Sequence, residues 1–288
     1  MIIRFTNIRA ISDEIFQFTG GYPFLVSRIC QCIDKKLDKT WTLNGVQNAI
    51  KIILEEKNTL FDDLYKNLEN NRNLYNLIYD ILMAGKSRTY SAGNPTIDLG
   101  MMFGIIKKSG ASISISNKIF EIIICDYFIS KNEDRRSGQI TNVFQYDVIK
   151  DGRFDMELCL RKFAEYYSEV YSGRDVKFLE RDGKFLFLMY IRPLLNGFGF
   201  YHFESELSDM SRMDIVVDFD REQFIIELKI WRGEKHHQEA FKQLTGYLER
   251  KHKNSGYLLT FDLRKEVNRE CKAEWIEYDG KKIFDVIV

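Results

Sequence analysis

The sequence predicts an α/β fold, with a central mixed β-sheet flanked by helices in its C-terminal domain and a mainly helical module before it. Up to about residue 135 the apolar residues recur at helical spacing, whereas beyond residue 145 short apolar strands alternate with helical segments. The charged, glycine-containing stretch 131–138 is typical of a linker. The predicted domains are therefore residues 1–140 and residues 145–288.

Within the N-terminal module, Gly20 and Gly21 separate the first two helices, and Pro23 suits the first turn of the second one. The alternation of isoleucine and serine at 112–116 predicts a strand. Helices followed by a small β element are typical of a winged-helix-like module. The predicted helices of this module cover residues 11–18, 23–33, 43–65, 74–82, 98–108 and 119–128.

The C-terminal domain is predicted to contain helices at 155–171, 183–195 and 234–251, and strands at 215–219, 224–230, 257–261 and 283–288. Side chains on a strand alternate between its faces, so Glu227 and Lys229 point the same way. Their apolar neighbours Ile226, Leu228 and Ile230 point the other way, into a core. One face of this strand therefore places a carboxylate beside an ammonium in an otherwise apolar run.

The charged pair requires compensation, because burying a charge costs several kcal/mol unless another group offsets it. Asp214 begins the preceding strand, and antiparallel neighbours lie about 4.8 Å apart. Asp214 and Glu227 can then share one hard divalent cation through oxygen, as Mg²⁺ prefers. Lys229 would lie beside the attacking water and stabilise charge on a phosphate. A plain buried ion pair between Glu227 and Lys229 is the alternative.

Asp214 followed by Glu227-x-Lys229 resembles the core motif of the PD-(D/E)xK nuclease superfamily. The resemblance implies a restriction-endonuclease-like domain over 145–288 that cleaves phosphodiester bonds, and DNA is the expected substrate. It implies that Asp214 and Glu227 bind Mg²⁺ or Mn²⁺ and that Lys229 assists the nucleophile. Gln243, as a further catalytic residue, and Tyr247 match the QxxxY-type helix of such sites, although Tyr247 also suits a core position. The other auxiliary matches are Glu204, Arg212 and Glu180, the last as the acid on the first helix of the core.

Residues 20–23, Gly-Gly-Tyr-Pro, are similar to the lid helices of AAA-type ATPases, and one nuclease subgroup joins such an ATPase to its nuclease domain. Gly85-Lys86-Ser87 imitates the end of a P-loop, but Asp80 occupies the position where that motif requires glycine. We therefore expect no nucleotide-binding site in this chain. Any ATP hydrolysis would come from a separate ATPase partner.

Bulk charge predicts no partner, because 42 basic residues balance 42 acidic ones. Between residues 223 and 253, however, seven basic residues face four acidic ones, a net of +3 that suits a phosphate backbone or, equally, a solvated helix face. His236 and His237 are expected at a solvated helix start. Five scattered cysteines indicate reduced thiols, and no apolar run is long enough to span a membrane, so we expect a cytoplasmic protein.

Two alternatives to a nuclease stay open. The chain could be a non-catalytic nucleic-acid-binding module that uses the winged helix and the basic patch. It could also be a remnant of a larger ATPase–nuclease, either inactive or dependent on a partner. The resemblance to nucleases is compatible with a homodimer, since many such nucleases need two sites for a double cut.

Overall fold

The computed structural model describes residues 8–83, 86–133, 148–171, 180–195, 198–205, 213–220, 222–264 and 271–288. Within these ranges the side chains at 132–133, 169–171, 180–181, 204–205 and 213–214 are not described. The chain divides into two compact units, residues 1–135 and residues 136–288.

The first unit is mainly helical, as the apolar spacing predicts. In α2 the residues Leu25, Ile29 and Ile33 are fully buried and form one face of the helix. Pro23 is the first residue of that helix, as predicted. The helices of this unit are α1 (Ile8–Thr19), α2 (Pro23–Lys36), α3 (Leu43–Glu55), α4 (Thr59–Asn70), α5 (Arg72–Leu82), α6 (Pro95–Met102) and α7 (Lys118–Glu133), and its strands are β1 (Ile106–Ser109) and β2 (Ser112–Ile115).

The prediction of one helix over 43–65 is wrong, because the chain forms two helices there. Glu56 adopts an extended conformation that ends α3. Asn58 then caps α4, and its side chain accepts a hydrogen bond from the backbone N–H of Phe61 at 3.0 Å. Periodicity continued across the break because both helices present apolar faces of the same spacing.

The predicted helix over 98–108 is also wrong in its bounds. Asn94 caps the helix and Pro95 begins it, three residues earlier than expected. Gly104, with a φ of +69°, follows the end of the helix in a conformation that favours glycine. The chain then enters β1, which pairs antiparallel with β2. The winged-helix character of this module stays a prediction.

The second unit is built around a six-stranded mixed sheet flanked by helices, which confirms the α/β prediction and is consistent with a restriction-endonuclease-like fold. The strand order is β5-β6-β7-β8-β10-β9. The β7–β8 and β8–β10 pairs are parallel, and the other pairs are antiparallel. Its elements are β3 (Ile149–Lys150), β4 (Arg153–Phe154), α8 (Met156–Tyr171), α9 (Glu180–Leu195), β5 (Gly199–Ser205), β6 (Met213–Phe219), β7 (Glu222–Ile230), α10 (Glu234–Arg250), β8 (Ser255–Phe261), β9 (Lys272–Tyr278) and β10 (Lys281–Ile287).

Helices cover both faces of the large sheet. On one face α10 packs its Leu244 and Leu248 into a cluster with Val216, Ile225 and Leu258 of the strands. Full burial of each such leucine contributes on the order of 2 kcal/mol. On the opposite face α8 and α9 contact the strands, with Phe163 of α8 in edge-to-face contact with the Phe261 and Phe187 rings. Side chains on both faces of the sheet are therefore buried against helices.

Across the residues that the structure describes, no helix combines the length and the apolar character that a bilayer crossing requires.

Candidate active site

Glu227 and Lys229 form an ion pair on β7, as the strand alternation predicts. The Glu227 side chain is 4% exposed and the Lys229 side chain 19% exposed. Both lie on the face that α10 covers, because Ile225 on the same side of β7 belongs to the α10 cluster. The apolar neighbours Ile226 and Leu228 are buried against the opposite layer. A carboxylate and an ammonium therefore lie together inside a largely apolar surface.

The backbone register brings the first motif acid to the same end of this ladder. Ile215 of β6 pairs with Ile226 of β7. Asp214 precedes Ile215, and Glu227 follows Ile226, so their backbone positions are adjacent at the end of the β6–β7 pairing. Glu204 of β5 is the register partner of Asp214 on the other side. The side chains of Asp214 and Glu204 are outside the described residues, and so is Arg212 entirely.

The two QxxxY-type residues lie on α10, one helical turn apart. Tyr247 is buried in the apolar cluster between α10 and the sheet, the core position that the sequence left open. Gln243 is half-buried, and its side-chain oxygen is buried without a hydrogen-bond partner among the described residues. Burying a polar oxygen without a partner is costly, so this atom is suited to hold water or substrate.

Glu180 is the first residue of α9, the second long helix of this unit. This helix directly precedes β5, the first strand of the large sheet in chain order. The role of Glu180 as the acid on the first helix of the nuclease core stays a prediction. The Glu180 side chain is outside the described residues.

His237 and Asp285 form a buried pair that the sequence did not predict. The His237 Nε2 lies 2.9 Å from the Asp285 Oδ2, and the two side chains are 7% and 3% exposed. The expectation that both histidines lie at a solvated helix start is therefore correct for His236, which is exposed, and wrong for His237. A helical rotation of about 100° separates neighbouring residues, so only one of the two can face the sheet.

Asp285 lies in the same row of the sheet as the motif glutamate. Leu258 of β8 is the register partner of Glu227 on one side and of Asp285 on the other. Paired residues of neighbouring strands point to the same face, so both carboxylates lie on the α10 side, on strands whose backbones are about 9.6 Å apart. The strand pattern Ile283-x-Asp285-x-Ile287 was the signal for this residue, since a lone acid interrupts an apolar face.

Two further polar groups lie at the same end of the sheet. Thr260 is the register partner of Lys229, and its hydroxyl is buried without a hydrogen-bond partner among the described residues. The Trp231 ring lies 5.0 Å from the His237 ring, and the Arg264 guanidinium lies 5.0 Å from the Trp231 ring centroid. The carboxyl ends of β7 and β8 thus gather polar and cationic groups around the motif pair.

Four of the five cysteine thiols are poor nucleophiles. All five are free, and burial raises the pKa of the thiols of Cys30, Cys32, Cys159 and Cys271. A raised pKa keeps a thiol protonated near neutral pH, whereas a nucleophilic cysteine needs a lowered one.

No group of three or more histidine, cysteine or acidic side chains is arranged for a metal ion within the described parts of the chain. These parts exclude the side chains of Asp214 and Glu204, whose backbones pair with each other, with Asp214 next to Glu227 at the end of the β6–β7 pairing. The donor set in this row is carboxylate oxygen, which suits a hard cation such as Mg²⁺ or Mn²⁺. The chemistry of the residues thus fits the expected cation.

Exposed cations lie along α10, the helix that covers the motif face of the sheet. The basic residues of 223–253 other than Lys229 are exposed or half-buried along α10 and its flanks. Exposed lysine and arginine side chains can neutralise phosphates and release their counterions. The same exposure suits an ordinary solvated helix face equally, so a phosphate-binding role for these residues stays a prediction.

Residues 199–271 of this chain match a family model described as the PD-(D/E)XK nuclease superfamily. The matched segment runs from the start of β5 to the residue before β9 and contains Asp214, Glu227, Lys229, Gln243 and Tyr247. Comparison with curated proteins and with solved structures gave no match. The similarity of the first unit to ATPase lid helices stays a prediction. The family that the chain resembles, over about a quarter of its length, is a nuclease superfamily.

Proposed function

We propose that this protein is a metal-dependent nuclease that hydrolyses phosphodiester bonds, with DNA as its substrate. Asp214 and Glu227 would hold Mg²⁺ or Mn²⁺, and Lys229 would assist the nucleophile. The single observation that carries the proposal is the Glu227–Lys229 pair, buried on a sheet face inside the segment that matches the nuclease family. As a structural device such a pair contributes little, because desolvation offsets much of its attraction.

The residues of the site divide the chemical work. A bound divalent cation would supply electrophilic stabilisation of the phosphate and lower the pKa of a water molecule. Lys229, the more exposed partner of the pair, can place its ammonium beside the phosphate and stabilise the charge that develops there. Gln243 offers a buried acceptor oxygen that could orient the attacking water. The cations on α10 would hold the flanking phosphates.

Cleavage of supercoiled, linear and single-stranded DNA with Mg²⁺ or Mn²⁺, against the same reaction in EDTA, tests the proposal. Glu227→Gln keeps the size of the side chain and removes the charge, so we expect a loss of about 100-fold or more in rate. Glu277→Gln is the matched control, since Glu277 is an exposed acid on β9 of the same sheet, and its rate should stay within about twofold of the wild type.

The assay also separates the two alternatives. A folded protein that binds DNA without cutting it in any metal would favour the non-catalytic binding module. Cutting that appears only when an ATPase partner is added would favour the partner-dependent remnant. Cleavage that survives Glu227→Gln, or that proceeds in EDTA, would contradict the proposed site.

A further inference from the structure

Exposed cations concentrate on one small β-sheet of the first unit. The strands β1 and β2 form its hairpin, and residues 88–90 lie along β2 through an isolated antiparallel bridge between Thr89 and Ser112. The Ile113 N–H donates to the Arg88 carbonyl at 2.9 Å, and the Tyr90 N–H donates to the Ala111 carbonyl at 2.9 Å. We call residues 88–90, 106–109 and 112–115 the basic sheet.

The charge of this region departs from that of the chain as a whole, whose net charge is zero. Residues 86–118 contain one acid, Asp98, and five basic residues, a net of +4. Asp80, just outside the segment, pairs with Lys86 at 2.9 Å and with Arg88 at 3.3 Å, and counting it leaves a net of +3. The five basic residues are Lys86, Arg88, Lys107, Lys108 and Lys118.

The two lysines of β1 carry the uncompensated part of this charge. Lys107 and Lys108 are adjacent on the strand, so they point to opposite faces, yet both are exposed. The Lys107 ammonium donates to the Ser116 carbonyl at 2.8 Å, and the Lys108 ammonium lies 4.5 Å from the Tyr90 ring centroid. Neither contact involves a carboxylate, so both charges remain available to an anion.

The hairpin is open at its tip. Gly110 has a φ of +59°, and an added Cβ there would meet nothing within 4 Å. Its neighbours in the turn are likewise exposed or half-buried. The tip of the hairpin is therefore accessible to an extended polyanion.

We propose that the basic sheet binds the phosphate backbone of double-stranded DNA. Phosphate contacts by lysine and arginine give affinity without sequence reading, through the release of condensed counterions. The three basic residues of the basic sheet, Arg88, Lys107 and Lys108, are exposed, and the two lysines pair with no acid among the described residues, which is the arrangement that such contacts need. The choice of DNA as the polyanion rests on the proposed nuclease function, although this surface lies in the other compact unit.

Fluorescence anisotropy of a labelled DNA duplex of about three helical turns tests the inference, with the full chain carrying Glu227→Gln and EDTA present so that no cutting occurs. Lys107→Gln/Lys108→Gln should raise Kd by at least tenfold at moderate salt. It should also reduce the slope of log K against log salt by about 1.8, the value for two lost phosphate contacts. The matched control is Lys35→Gln/Lys66→Gln, which removes two exposed lysines from α2 and α4 of the same unit.

Each outcome decides the inference. A loss of affinity in the β1 variant, with the control unchanged and both proteins equally helical by circular dichroism, supports it. Equal losses in both variants, no loss in either, or binding to anionic phosphatidylglycerol vesicles in place of DNA would overturn it. Failure here is distinct from failure of the nuclease proposal, since cleavage in Mg²⁺ by a chain with an intact Glu227 is measured separately.

Discussion

Glu227 and Lys229, two residues apart on one strand, form an ion pair with each other on the covered face of the large sheet. Burying either charged side chain alone in that apolar layer would be energetically unfavourable. Together they place a charged acceptor and a charged donor at a fixed spacing, held by the backbone ladder to β6 and β8. Rigid placement of this kind is what a hydrolytic site requires.

Removal of the ammonium from this pair should cost stability as well as activity. Lys229→Met leaves the Glu227 carboxylate, 4% exposed, without its partner, so we expect a loss of about 3 kcal/mol in the free energy of unfolding at neutral pH. Urea denaturation monitored by circular dichroism measures it.

The double variant Glu227→Gln/Lys229→Met is the control for that measurement. It removes both charges and should recover most of the lost stability, while remaining inactive. A double variant as unstable as the single one would show that the carboxylate is not the source of the cost.

The His237–Asp285 pair should stabilise the packing of α10 on the sheet. His237→Ala leaves the Asp285 carboxylate buried without its hydrogen bond, and we expect a loss of 2–3 kcal/mol, on the order of other broken buried pairs. His236→Ala changes an exposed neighbour on the same helix and should shift stability by less than about 0.5 kcal/mol. Similar losses for the two variants in urea titrations would contradict the pairing.

Glu56 should make the first unit less stable in acid. Burial acts to raise the pKa of its carboxyl, but hydrogen bonds from Lys36 and Arg28 outweigh burial and lower that pKa below its usual value. A lowered folded pKa gives stability that is present above the unfolded pKa and is lost as the pH falls through the folded one. Glu56→Gln should therefore cost about 1 kcal/mol at pH 7 and nothing near pH 2.

Thermal or urea unfolding at a series of pH values measures this difference. Glu55→Gln, at the neighbouring residue, is a suitable control because no ion pair of Glu55 is found among the described residues, and it should show little pH-dependent difference from the wild type. A difference between Glu56→Gln and the wild type that stays constant down to pH 2 would contradict the role of the Glu56 charge.

Much of the large sheet was predictable because its inner strands are continuous apolar runs. The strands around Ile215, Ile226 and Leu258 each stand out from their surroundings and were predicted within two residues of their bounds. The strands β5 and β9 were missed. The first is an edge strand rich in aromatic residues, and the second alternates charged residues with few apolar ones, so neither has the composition of a buried strand.

The candidate site was likewise predictable from the sequence only in part. Glu227 and Lys229 were visible because strand alternation alone places them together. The partnership of His237 with Asp285 was not visible, since it spans 48 residues and depends on β10 lying next to β8. Helical spacing gave one usable signal, because His237 lies three residues before the buried Ala240 and seven before Leu244.

The most direct test of the nuclease account is the cleavage rate of Asp214→Asn on plasmid DNA at saturating Mg²⁺ or Mn²⁺. Asp214 is the acid that backbone register places next to Glu227, and asparagine keeps its size while removing the charge that a cation needs. Asp218→Asn makes the same change at another acid of β6 and is the comparison variant. A loss of cleavage confined to Asp214→Asn would belong to the site and not to the strand as a whole. We predict a rate about 100-fold or more below that of the wild type for Asp214→Asn alone. Unchanged metal-dependent cleavage by a folded Asp214→Asn protein would contradict the account.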